Sequence, residues 1–229
     1  MHPSENIPGR ARRELDGRII DVELALIAII QAVPLVLLAD KVAEPIMEMN
    51  WQVLPYLVVG LLTVLLFWSR AVIHTLSFIG WPLDFTHNFL YILSTLVQAI
   101  LVSQIANPKV WYAIWIAYSG ILWITYAVDL RMIRRQLKME REMNDRLLLE
   151  DVLKDQLLNV RYYMPAAILL SIFAFITVKY CPVFFIAGHW HLAFVVGQVV
   201  LGLLYLWEGY GILRRRNDRI LERQMNLGD

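Results

Sequence analysis

Six stretches of the chain are almost wholly apolar: residues 19–39, 51–68, 88–106, 110–128, 162–178 and 192–213. An α-helix rises about 1.5 Å per residue, so about 20 apolar residues cross a hydrocarbon core. The pattern predicts an all-α, polytopic membrane protein of six transmembrane helices. The segments between them alternate in character. Residues 40–50, 107–109 and 179–191 are short and carry only Lys41, Lys109 and Lys179, while every other lysine and arginine lies in the alternate set. Basic residues accumulate on the cytoplasmic side, which places both termini there. Trp51, Tyr56, Trp111, Tyr112, Tyr180 and Trp190 then fall at the outer interface. Trp68, Tyr126, Tyr162, Tyr163 and Trp207 fall at the inner one, as aromatic belts do.

The cytoplasmic pieces differ from one another. Residues 1–17 are polar and basic and read as a flexible tail ahead of a transmembrane domain over 18–213. The link 69–87 is interrupted by Gly80 and Pro82 and reads as an interfacial turn or short amphipathic helix. Residues 129–161 are densely charged and lack both Gly and Pro. They repeat Ile133, Leu137, Leu147, Val152 and Leu157 at broadly helical spacing, with Glu140/Asn144 and Glu150/Lys154 at i,i+4. They predict a charged cytoplasmic helical extension between the fourth and fifth spans, with Pro165 marking re-entry. Its apolar stripe needs a partner, either the same helix in a neighbouring subunit or the basic C-terminal helix over 214–229.

Composition sharpens the class. Of 229 residues 59% are hydrophobic and the mean hydropathy is +0.54, well beyond soluble proteins. Cys181 is the single cysteine, so no intrachain disulfide forms. Hydrolase, metalloprotease and phosphate-loop motifs are absent from the sequence, and no cofactor, metal site or enzyme activity is expected. Neither His74 with His87 nor His189 with His191 is placed to bracket a haem, which needs facing helices at mid-depth.

Polar residues inside the spans are the candidates for function: Asp21, Glu23, Gln31, Ser94, Thr95, Gln98, Ser119, Gln198 and Glu208. Asp21 and Glu23 open the first span, where copies around a symmetry axis would form a ring of acids attracting cations. Glu208 lies near the cytoplasmic end, with Arg70 or Arg214 as its expected partner. The runs containing Arg131, Arg134, Arg135, Arg214, Arg215 and Arg216 suit anionic lipid first. A cytoplasmic anionic ligand or protein partner is the second candidate, and nothing favours nucleic acid.

The order of these features resembles a known family. A basic residue, Arg18, and a motif ending in Asp21 open the first span; Phe67-Trp68 closes the second; His74 follows; Asn88 opens the third; and a charged linker precedes Arg161-x-x-x-Pro165. This layout is similar to the six-helix domain of the lysosomal potassium-channel family (transmembrane protein 175 and its bacterial relatives). The family's Phe-Ser-Asp falls on Ile19, Ile20 and Asp21, of which only the Asp is kept. The resemblance implies a homotetramer with the first helices around the pore, and a structural network including Arg18, Trp68, His74 and Asn88. It implies conduction of monovalent cations, potassium favoured, through an apolar constriction built from Leu24, Leu26, Ile27 or Ile30, with Gln31 beyond it. Two other classes fit the pattern. A secondary transporter is suggested by Pro55 and Pro165, early in the middle helix of each half. A non-conducting scaffold would use 129–161 for docking.

Overall fold

The computed structural model describes the backbone of residues 7–77, 85–139 and 143–226, and their side chains except at 7–20, 23, 73–77, 85, 139, 143–145, 148, 212–213 and 215–226. Seven α-helices follow in order: α1 Ile7–Met47, α2 Leu54–Ser77, α3 Phe85–Val102, α4 Pro108–Met139, α5 Met143–Leu158, α6 Met164–Tyr180 and α7 Trp190–Asn226. Two single π-helical turns, Asn159–Tyr163 and Val183–Ala187, complete them.

Five stretches within these helices are long and apolar enough to cross a membrane: Leu24–Met47, Leu54–Val72, Pro108–Lys138, Leu149–Tyr180 and Trp190–Gly211. The protein is therefore built as an integral membrane protein. The third apolar segment is shorter than the sequence pattern suggested, with Thr86–Val102 as its apolar helix. It stops because the chain turns at once into α4. The Gln104 amide bonds back to the Leu101 carbonyl at 3.0 Å, and Asn107 caps α4 by accepting from the Val110 amide at 3.3 Å. Pro108 fills the first helical position, where no N–H is missed.

Packing neighbours close a ring: α1 against α2, α2 against α7, α7 against α6, α6 against α4, α4 against α3, and α3 against α1. One end of the ring carries the α1–α2 and α6–α7 turns; the other carries the hairpin of α4 and α5. At the turn end, a Cβ on Gly188 would lie 2.3 Å from the Phe184 carbonyl oxygen, so only glycine lets the chain pass from the second π turn into α7. The first span begins inside a helix that already runs from Ile7, through residues read as a tail. Likewise α7 continues into the C-terminal segment without a break.

The charged extension finds its partner within itself. The far half of α4 and all of α5 pack as a hairpin around Ile133, Leu149 and Val152, flanked by Leu137 and Leu153. Arg131, Arg134, Arg135 and Lys138 are left on the outside. Because this core is so small, Ile133→Ala should cost about 2–5 kcal/mol of hairpin stability. The expected reading is faster tryptic cleavage at Arg134, Arg135 and Arg146, with the ring itself intact.

From α5 the helix runs on into α6 without leaving the helical path. Pro165 lacks an N–H, and its ring crowds the carbonyl four residues back. The π turn immediately before it opens the coil at that point, so the proline is accommodated rather than ending the helix.

Candidate functional site

Nearly all polar residues of the spans turn into the ring, where a low dielectric makes every unsatisfied group costly. They form three levels. At the turn end, the Tyr56 hydroxyl meets His191 Nδ1 at 2.8 Å, and the Tyr112 hydroxyl donates to the His191 carbonyl at 2.7 Å. Trp111, wholly buried, stands edge-on to Tyr56 with ring centroids 5.3 Å apart. Its indole N–H donates to Gln198 Oε1 at 3.2 Å, and Gln198 Nε2 reaches Ser171 Oγ at 3.5 Å.

At the middle level, Gln31 Nε2 donates to Thr95 Oγ1 at 3.0 Å and to the Tyr91 hydroxyl at 3.3 Å. Gln98 Nε2 donates to the Tyr118 hydroxyl at 3.2 Å. These bonds tie α1 to α3 and α3 to α4. Beside them, α2, α4, α6 and α7 surround a cavity of about 90 Å³, walled by residues such as Leu66, Leu122, Met164 and Leu201.

The hairpin end holds the buried charges. Arg70 Nη1 donates to Asp155 Oδ2, and both side chains are only 6% exposed. The guanidinium lies over the Tyr205 ring, 4.4 Å from its centroid, and the Tyr205 hydroxyl donates to that of Tyr126 at 3.2 Å. Alongside, His87 Nδ1 sits 2.8 Å from Asp129 Oδ1, and Gln156 Nε2 donates to Asp129 Oδ2 at 3.2 Å. Asn159 Nδ2 donates to Gln156 Oε1 at 3.2 Å. The root of the hairpin is thus plugged into the ring through Asp155, Gln156 and Asn159.

The residues singled out from the sequence separate into two faces of α1. Ile27, Gln31, Pro34, Leu38 and Val42 are buried against α2 and α3; Ile30 packs against the same core and Leu24 is half-buried. Asp21 is exposed. Leu26 is 51% exposed, on a free face with Val22, Ile29, Val33 and Val36. The supposed constriction is therefore not one surface: Ile27 and Gln31 serve the inside of the subunit. A helix turned so that Gln31 hydrogen-bonds Tyr91 and Thr95 cannot present it to an axis on its opposite side. Arg70 takes Asp155 as its ion-pair partner rather than Glu208. Trp68 is 44% exposed, Asn88 is half-buried, and Arg131, Arg134, Arg135 and Arg214 are exposed. The side chains of Arg18, Glu23, His74, Arg215 and Arg216 lie outside the described residues.

Asp155, Gln156 and Asn159 escaped the sequence reading because they sit in a segment where charge is everywhere. A signal existed: Leu149, Val152, Gln156 and Asn159 follow one helical face, so polar groups continue the buried stripe. Compared with protein-family models, curated proteins and solved structures, the chain matches none.

Proposed function

We propose that this chain is one subunit of a homo-oligomeric cation channel, most simply a tetramer, with α1 lining a pore between copies. In this reading all six apolar segments cross the membrane, α3 included, and the hairpin end faces the cytoplasm with both termini. The exposed arginines of the hairpin then follow the positive-inside rule.

The observation that carries the reading is the free face of α1. It is acidic at both ends and aliphatic between: Asp21 at its edge, then Leu26, Ile29, Val33 and Val36, then Asp40 and Glu44, all exposed in the single subunit. Lys41, 3.2 Å from Asp40, takes up part of that charge and leaves Glu44 as the net acid. Copies set around an axis would form an apolar collar that gates by wetting and dewetting, between two cation-concentrating mouths.

Planar-bilayer recording on the purified protein tests this. Ile29→Asn or Val33→Asn should hydrate the collar and raise conductance several-fold, while Asp21→Asn with Glu44→Gln should lower cation conductance. Ile27→Asn should instead destabilise the subunit, since that side chain faces inward. If neither the wild type nor the two collar variants conduct, α1 does not line a pore.

A further inference from the structure

We propose that the cavity at the centre of each subunit is a binding site for a small neutral organic solute carrying a hydroxyl or carbonyl group. This inference is independent of any pore between subunits. It starts from the hydroxyls of the spans. Thr63, Thr95, Thr125 and Ser171 each return the hydroxyl proton to the carbonyl four residues back, at 2.7–3.1 Å. Ser119 lines the cavity, is only 2% exposed and makes no hydrogen bond to any described residue, and the indole N–H of Trp115, which also lines it, is buried without a partner. A buried hydroxyl without a partner costs free energy, and one that borders open space is satisfied by whatever fills that space.

The walls select the occupant. No charged side chain lines the cavity: Arg70 lies behind the Tyr205 ring and is neutralised by Asp155, and Glu208 stands beside Tyr163 outside the lining. An ion entering would lose its hydration without a countercharge, which excludes charged solutes. Most of the surface is apolar, from aliphatic and aromatic side chains such as Leu66, Leu122, Phe67 and Trp115, so the body of the solute is apolar. Size narrows the choice. A dry cavity of about 150 Å³ holds benzene, so a space of about 90 Å³ suits a molecule of roughly four heavy atoms. A short alcohol, a small ketone or a simple amide meets all three conditions.

Polar groups border the cavity on two sides. Gln198 borders it on one side and is held by Trp111 and Ser171. Tyr126 and Tyr205 border it on the other and are backed by the Arg70–Asp155 pair.

Propan-2-ol is the probe, added at millimolar concentrations to the full chain in nanodiscs of deuterated lipid. The expected result is a saturable nuclear Overhauser contact between its methyl protons and the indole of Trp115, which lines the cavity; the Trp115→Phe variant identifies that resonance. Ala167→Leu should fill the space and abolish the contact, with the unfolding midpoint unchanged or raised. Ser119→Ala should weaken binding by about threefold to tenfold, the worth of one neutral hydrogen bond. Contacts that do not saturate, that survive Ala167→Leu, or that come from water alone would overturn the proposal. Should Ala167→Leu fail to fold, unchanged affinity in Ser119→Ala overturns it equally.

Discussion

Arg70→Met should be the most damaging single change in the molecule, lowering unfolding free energy by about 3–5 kcal/mol. The loss comes less from the missing attraction than from what remains. Asp155 is 6% exposed and would be left buried without its ion-pair partner. Tyr205 would also lose the cation over its ring. The double variant Arg70→Met with Asp155→Leu removes both charges and should recover most of the loss, because the desolvation cost of the pair disappears with it. Reversible unfolding in mixed micelles, followed by far-ultraviolet circular dichroism, gives both numbers. A single variant within about 1 kcal/mol of wild type would mean that Asp155 is hydrated rather than dependent on Arg70.

The second large effect is expected from Trp111→Ala. This side chain is wholly buried, packs edge-on to Tyr56, stacks on Trp115 at 5.7 Å, and holds Gln198. In a bilayer its burial is not driven by transfer from water, so what is lost is packing and a hydrogen bond. That argues for about 3 kcal/mol, the low end for a buried Trp truncated to Ala in soluble proteins. Trp111→Phe keeps much of the ring contact but strands Gln198 Oε1, and should cost about 1–2 kcal/mol. Trp207, 80% exposed, serves as the control: Trp207→Ala should stay within about 0.5 kcal/mol. Equal effects at the two positions would show that the turn-end cluster is not packed as described.

The contrast between Ile27 and Ile29 shows how far the sequence could be read. Both lie in one apolar run, and hydropathy counts them alike, because the lipid and the interior of the ring are equally apolar. Length and helicity are therefore legible, while the facing of each residue is not. Gln31 carries the same ambiguity: a polar group in a span turns away from lipid, but toward its own subunit or toward an axis is not written in its neighbours. The hairpin was hidden for another reason. Sequence shows the stripe Ile133, Leu137, Val152 but not that α5 folds back against α4. Charge density likewise disguised Asp155, which carries a buried pair with Arg70.

The single π turn at Asn159–Tyr163 has a consequence for how this chain must be compared with any relative. It holds one residue more than the α-helical repeat, which shifts every side chain beyond it by about 100°. α5 and α6 are thus one rod with two phases. A deletion of one residue there would be silent in hydropathy and length, yet it would rotate Asp155 away from Arg70 or swing Ser171 away from Gln198. Relatives that share the ring but lack the buried pair should differ by a one-residue gap at this turn, and an alignment forced through without it will pair the wrong faces.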